Sequence, residues 1–321
     1  MAATNNASIH ERLKPETIVK ISYEHSKDDK PEYVVGYWSI RGLAAPIRMM
    51  LSAAQVNHWA MSYDALYTKE GGYAVDSWLH DKAWVKNEGH CDLMNLPFLV
   101  ICGTGDGDNK DDRVLAQSNA VMMCLGRKLN MLGSNDWEQS LCESFLCELM
   151  DLRDNMTDFV YTGTKGVEDD TSDAKTVVQN ANKIFDKFEA HLSRKYKMSG
   201  SDNGKTDGPV CFLVGDQLSA PDFHLWELID QYIGYCEYYK IEPTCITETK
   251  RPCLYEFHTN FRKLPQNKQY MDCELSMSNL PYNNPSGRFG TDPVTKGLTD
   301  PGTKDCAWHK LGVINEKRPK V

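Results

Sequence analysis

The stretch Gly36-Tyr37-Trp38-Ser39-Ile40-Arg41-Gly42-Leu43-Ala44 decides how the first half of this chain is read. A β-rich run from Tyr33 to Tyr37 stops at Arg41-Gly42, and Leu43, Ile47, Met50, Leu51 and Ala54 then repeat at helical spacing. A strand that turns directly into a helix places its last residues at the mouth of a cleft, where a tyrosine hydroxyl can meet a ligand. Outward from this turn, residues 33–132 alternate strand-like and helix-like runs, as a small α/β domain does. The strands are expected at Tyr33–Tyr37, Trp59–Tyr63, Phe98–Cys102 and Arg113–Ala116, and the helices at Ala44–Ala54, Asp76–Val85 and Asn119–Leu129. Leu132-Gly133-Ser134-Asn135 breaks the alternation, and from there to about residue 278 the pattern is mainly helical.

In that second half, Leu141, Phe145, Leu149, Leu152 and Met156 form one apolar stripe. Val177, Ala181, Ile184, Phe185, Phe188 and Leu192 form another, and both read as core faces. The polar inserts Thr162–Asp173 and Ser199–Gly208 read as surface loops. The expected organisation is an N-terminal extension over 1–32, an α/β domain over 33–133, an all-helical domain over 134–278 and an irregular tail over 279–321. The extension is expected to be a flexible arm or irregular surface segment. Trp308 suggests that part of the tail docks.

A chain of 321 residues is long enough for two well-buried cores. Its 41% hydrophobic and 25% charged content is that of a soluble globular protein. The net charge of -9 disfavours a nucleic-acid partner. No apolar run approaches the roughly 20 residues that span a bilayer. The first 32 residues carry Glu11, Glu16, Glu24, Asp28 and Asp29 and no apolar signal region, so a cytoplasmic location is expected. The eleven cysteines are odd in number and form no CxxC, which points to reduced thiols. The nine histidines show no metal-ligand spacing with them, so no metal site is expected.

Further motifs follow the opening turn. Trp78 and Lys82 lie four apart, on one helical face, as an indole N–H and an ammonium suited to a carboxylate. The bland alternative is an amphipathic surface helix with a snorkelling lysine. Asn95-Leu96-Pro97 precedes the apolar run Phe98-Leu99-Val100, and read blandly is an ordinary turn into a strand. Gln117-Ser118-Asn119-Ala120-Val121 joins a strand to a helix, with Ser118 at the expected N-cap. Helix starts also attract carboxylates. Ser219-Ala220-Pro221-Asp222 has the order of a capping box with proline in the first turn, a folding element rather than a catalytic one. Met150-Asp151 and Tyr161 lie on the first long helix.

In this order and spacing, the motifs resemble those of soluble glutathione transferases, most closely the mu class. The resemblance covers roughly residues 33–278 and is most specific over 33–133. It implies a thioredoxin-like α/β domain followed by an all-α domain, with glutathione as co-substrate. Tyr37 would activate the glutathione thiol, with Ser39 as the competing hydroxyl. Trp38, Leu43, Trp78, Lys82, Asn95, Leu96, Pro97, Gln117 and Ser118 would line the glutathione site. Leu96 would offer its backbone next to a cis-proline, and Gln117 and Ser118 would hold the γ-glutamyl carboxylate. The chain would form a homodimer, with Asp151 reaching the partner subunit's glutathione and Tyr161 facing a hydrophobic electrophile.

The sequence departs from the mu pattern in three places. Val75-Asp76-Ser77 stands where an arginine precedes the Trp–Lys helix. Gly103–Asp112 lengthens a hairpin; its acids loosely resemble a calcium loop, but the terminal glutamate is missing, and a solvated turn is expected. The N-terminal extension and the long tail are additions. The expected function is conjugation of glutathione to small hydrophobic electrophiles. A non-catalytic binding or structural protein on the same scaffold and a sigma-like glutathione-dependent prostaglandin isomerase are the alternatives.

Overall fold

The computed structural model describes residues 8–23, 30–67, 73–104, 111–162, 171–198, 210–271, 280, 282–284 and 289. Its first half is built on β1 (Thr17–Ile21), β2 (Tyr33–Trp38), β3 (His58–Tyr63), β6 (Phe98–Thr104) and β7 (Asp111–Ala116). These form a five-stranded sheet in the order β1-β3-β2-β6-β7. β2 and β3 are parallel, with helix α2 (Ala44–Ala53) crossing between them, and the other pairings are antiparallel. Helices α3 (Asp76–Asn87) and α4 (Ser118–Lys128) complete this α/β half, which is the expected thioredoxin-like arrangement. A two-residue pairing of β4 (Leu66–Tyr67) with β5 (Tyr73–Ala74) is too short to leave a periodic trace in the sequence.

Period-2 alternation divides the sheet into two faces. Tyr33, Val35 and Tyr37 of β2 join the core shared with α2 and the later helices. Val34 joins Phe98, Val100, Trp78 and Val85 in a second core on the α3 side. Gly36 keeps this second face closed, because a Cβ there would sit 2.1 Å from the Phe98 ring.

The second half is helical: α5 (Asp136–Thr162), α6 (Thr171–Met198), α7 (Ala220–Tyr238), α8 (Pro252–Phe261) and α9 (Lys268–Met271). The expected stripes of α5 and α6 turn inward, with Leu149, Leu152, Phe185, Phe188 and Leu192 buried. Helix α7 is buried without a break from Ala220 to Tyr232, a fully enclosed central helix. Its start is built as expected: the Asp222 carboxylate accepts the Ser219 N–H at 2.8 Å and the Ser219 O–H at 2.6 Å. The other Asp222 oxygen accepts the Leu213 N–H at 2.8 Å.

The expectation for the N-terminal end of the chain is corrected. The N-terminal segment is not an irregular arm: Ile9–Arg12 form a helical turn, α1, and β1 adds an edge strand to β3. The β-branched run Thr17-Ile18-Val19-Lys20-Ile21 suits that edge, with Ile21 buried and Lys20 over the Trp59 ring at 4.2 Å. After α9, Leu280, Tyr282, Asn283 and Phe289 are buried against the helical half, with Phe289 meeting Tyr235 edge-on. Trp308 lies outside the described residues, as do most of both polar inserts and the tip of the 103–112 hairpin. No helix among the described residues is long and apolar enough to cross a membrane. The nine cysteines among the described residues are free thiols.

Candidate functional site

The sheet register gathers the motif residues at one end. Gly36 lies opposite Phe98, and Phe98 lies opposite Ala116. Tyr37 and Trp38 therefore leave β2 where Asn95-Leu96-Pro97 enter β6 and where Gln117 and Ser118 leave β7. Trp38 also lies opposite Tyr63 of β3. The Tyr63 hydroxyl donates to Asp81 Oδ2 of α3 at 2.8 Å and its ring meets Trp78 edge-on, so α3 is fastened to the same end.

Tyr37 is 4% exposed, and its hydroxyl lies directly over Gly42. Gly42 has φ of +40°, and a Cβ there would sit 2.7 Å from that oxygen. The Arg41-Gly42 turn thus needs glycine for its backbone angle and for the close approach of the tyrosine. Ser39, the competing hydroxyl, is already engaged: its Oγ donates to Asp64 Oδ1 at 2.6 Å inside the protein. Burial pushes the Asp64 carboxyl up to about 6, with the Ser39 bond opposing that rise.

Trp38 is half-buried and meets Trp78 edge-on at 6.2 Å, while Trp78 stacks on Phe98. Lys82 is half-buried with Nζ 5.6 Å from the Trp78 ring centre, so both members of this pair stay on one face of α3. Val75 forms the N-cap of α3 and supplies no side-chain cap bond. The Leu96-Pro97 bond is cis, as expected, with Asn95 exposed and Leu96 half-buried. Leu43, half-buried, is the N-cap of α2.

The start of α4 differs from expectation. Gln117, not Ser118, occupies the N-cap, and no side chain caps the helix. Gln117 makes the turn with φ of +74°, a conformation that costs an L-residue about 1–3 kcal/mol and clusters at ligand sites. Ser118 is the first helical residue and is buried. Its position beside the free N–H groups of the first turn matches that of an anion-site residue.

The helical half supports this end through Arg41, which the sequence reading did not single out. Its guanidinium is buried and grips Glu227 through Nε at 3.0 Å and Nη2 at 2.7 Å. Nη2 also lies 2.9 Å from Asp230 Oδ2. His258 and the Tyr282 hydroxyl complete the shell of Asp230, and the Tyr282 ring covers the Arg41 guanidinium at 4.4 Å. The Gly42 N–H donates to the Tyr282 carbonyl at 3.0 Å. The tail thus packs on the turn that carries Tyr37. It also reaches Tyr161, an exposed side chain whose hydroxyl accepts the Asn284 N–H at 3.0 Å.

Asp151 is exposed on α5. A second constellation also escaped the sequence reading: His10, Cys102 and Asp112 converge near the base of the β6–β7 hairpin. Their separation along the chain hid them, since α1 contributes the histidine and two strands the others.

Comparison with known proteins agrees with this geometry. Residues 150–274 match the family model described as the glutathione S-transferase C-terminal domain. Human glutathione S-transferase Mu 3 is 26% identical over 261 residues, covering 81% of this chain and 96% of that protein. Rabbit (Oryctolagus cuniculus) glutathione S-transferase Mu 1 is 26% identical over 237 residues, covering 74% and 89%. The crystal structure of the glutathione S-transferase Blo t 8 superposes with a TM-score of 0.59 over 80% of this chain and 99% of that one, at 23% identity, a likeness of fold. With the fold, the motif order and these relatives in agreement, the chain is similar over most of its length to glutathione S-transferases, mu-class proteins among them.

Proposed function

We propose that the protein conjugates the glutathione thiolate to small hydrophobic electrophiles, with Tyr37 as the thiol-activating group. The observation that carries this reading is the contrast between two neighbouring hydroxyls. Ser39 is bound to Asp64, whereas the Tyr37 hydroxyl stands over Gly42 at the sheet end where the motif residues meet. A thiol with pKa of about 8.5 is only a few per cent ionised at pH 7. Lowering it by about two units takes about 2.7 kcal/mol. One hydrogen bond to a charged acceptor contributes about 1.5–3 kcal/mol. A single tyrosine is therefore sufficient. Trp78 and Lys82 offer donors to the glycyl carboxylate, Leu96 its backbone to the cysteinyl unit, and Gln117 and Ser118 the anion site at α4. Trp38, Leu43, Asn95 and Pro97 complete the wall, and Tyr161 faces the electrophile. Retention on immobilised glutathione together with turnover of a chloronitrobenzene is the expected result. Retention without turnover would favour a binding protein, the reading that Val75 in place of a cationic side chain supports. Failure of both would sink the assignment.

Ser118 separates binding from folding. Because Ser118 is not the cap, Ser118→Ala should cost well under the ~1 kcal/mol of a lost N-cap. It should weaken glutathione binding by the roughly 10- to 100-fold that a hydrogen bond to a charged group supports. Unchanged binding by calorimetry would remove Ser118 from the site.

Asp151 carries the reading of a two-fold homodimer in which each subunit completes the other's glutathione site. An isologous interface brings one residue of each subunit to the partner's site. Asp151 is exposed on α5, as a residue that reaches a partner must be. Asp151→Asn should raise the glutathione KM by no more than about fivefold, the scale of an exposed ion pair. A fully active monomer in sedimentation at micromolar concentration would rule out both the dimer and the shared site.

A further inference from the structure

We propose that His10, Cys102 and Asp112 form a zinc site that fastens the N-terminal α1 segment to the β6–β7 hairpin. His10 Nδ1 lies 3.6 Å from Cys102 Sγ and 3.4 Å from Asp112 Oδ2. The ligand atoms of all three residues fall within 4.8 Å of one another. A tetrahedral zinc ion with bonds of about 2.3 Å to sulfur and about 2.0–2.1 Å to nitrogen and oxygen sets sulfur and nitrogen about 3.5 Å apart. It sets nitrogen and oxygen about 3.3 Å apart. Both observed separations match those edges. An N–H···O hydrogen bond would instead bring nitrogen and oxygen to about 2.7–3.2 Å. The two contacts also converge on the same imidazole nitrogen, which carries at most one proton for them.

The surrounding structure holds these ligands in place. Phe98, Val100 and Cys102 alternate on the α3 face of β6, and the strand register shifts between Ile101 and Thr104. Such an irregularity re-aims a side chain at a sheet edge. The Asp112 carboxylate is oriented by two backbone donors, Ile9 N–H at 2.7 Å and Gly103 N–H at 3.0 Å. Ligating carboxylates are characteristically held by such outer bonds. His10 is buried and packs edge-on against Trp59. Cysteine ligates zinc as the thiolate, so binding would release the Cys102 thiol proton to solvent as the sulfur–metal bond forms. Cysteine, histidine and carboxylate together are a donor set suited to zinc, with water as the fourth ligand. The site lies on the face of the sheet where the Lys14 N–H bonds Asp81 of α3, so the metal would lock the N-terminal segment against that helix.

The test uses the full-length protein, stripped with chelator and titrated with cobalt(II), a spectroscopic stand-in for zinc. One equivalent per chain should give thiolate-to-cobalt charge transfer and the visible bands of a tetrahedral ion. Zinc should displace it and raise the unfolding temperature. Cys102→Ser, nearly isosteric, should abolish the charge-transfer band and weaken zinc binding by more than the about 10- to 100-fold that an outer-shell change costs. Cys147→Ser, at an exposed thiol, should leave both unchanged. Asp112→Asn retains an oxygen for one of the two backbone N–H groups and should also weaken zinc binding, which provides a second variant if Cys102→Ser does not fold. Absence of tetrahedral bands in the parent protein, or binding unchanged in the folded variants, would overturn the proposal.

Discussion

Tyr37→Phe should abolish most conjugation while leaving glutathione binding nearly intact. The substitution removes one oxygen and keeps the ring that fills the space over Gly42. If that oxygen hydrogen-bonds the thiolate, its loss removes about 1.5–3 kcal/mol of stabilisation from the charged form. The pKa of the bound thiol should then rise by about 1–2 units, and the rate at neutral pH should fall by roughly 10- to 100-fold. The defect should shrink as pH rises, because alkali supplies the thiolate that the tyrosine no longer favours. Spectroscopic titration of the bound thiol and pH–rate profiles read the two effects separately. Ser39→Ala is the control. Its hydroxyl is committed to Asp64, so the bound thiol should keep its parental pKa. A Tyr37→Phe protein that conjugates at the parental rate would require a different activator.

The second large effect is on stability. Arg41→Met should destabilise the protein by about 3–5 kcal/mol, the cost of breaking a buried ion pair by removing one partner. Methionine fills part of the volume but leaves the Glu227 and Asp230 carboxylates buried without their guanidinium. Tm should fall by roughly 5–10 °C. Arg41→Lys should recover only part of the loss, because one ammonium cannot reproduce the fork that meets both Glu227 oxygens.

The same cluster fixes a pH dependence. Burial opposes ionisation of Asp230, but Arg41, together with hydrogen bonds from His258 and Tyr282, holds its carboxyl well below the usual range. A folded pKa below the unfolded value of about 3.9 means that the carboxylate stabilises the fold at neutral pH. That contribution is lost as pH falls below about 4. Arg41→Met should therefore show a weaker loss of stability from this group on acidification. Denaturant unfolding of the two proteins at pH 7 and at about pH 2 measures both terms. A loss under ~1 kcal/mol for Arg41→Met at neutral pH would show that the cluster contributes little to stability.

The sequence by itself determined the elements whose causes are local. The strand–turn–helix over residues 33–54, the inward stripes of α5 and α6, and the Ser219–Asp222 start of α7 follow from side-chain period, glycine at a close turn and capping chemistry between near neighbours. These depend on residues a few positions apart, so they are written in consecutive letters. Tertiary structure decided what depends on distant partners. Ser39 and Tyr37 are both hydroxyls of the same turn, and only the approach of Asp64 from beyond β3 distinguishes them. Ser118 read as a cap because serine favours that position, but Gln117, with its positive φ, takes the cap and the helix starts one residue earlier. The N-terminal run gained a strand only because β3 offered it an open edge. Arg41 looked like a turn residue until α7 brought Glu227 to it across 186 positions of sequence. His10, Cys102 and Asp112 have no spacing signature, because their proximity comes from docking α1 on a hairpin. Side-chain period and turn chemistry act over a few residues, whereas ion pairs and metal-ligand sets are three-dimensional coincidences that packing alone creates.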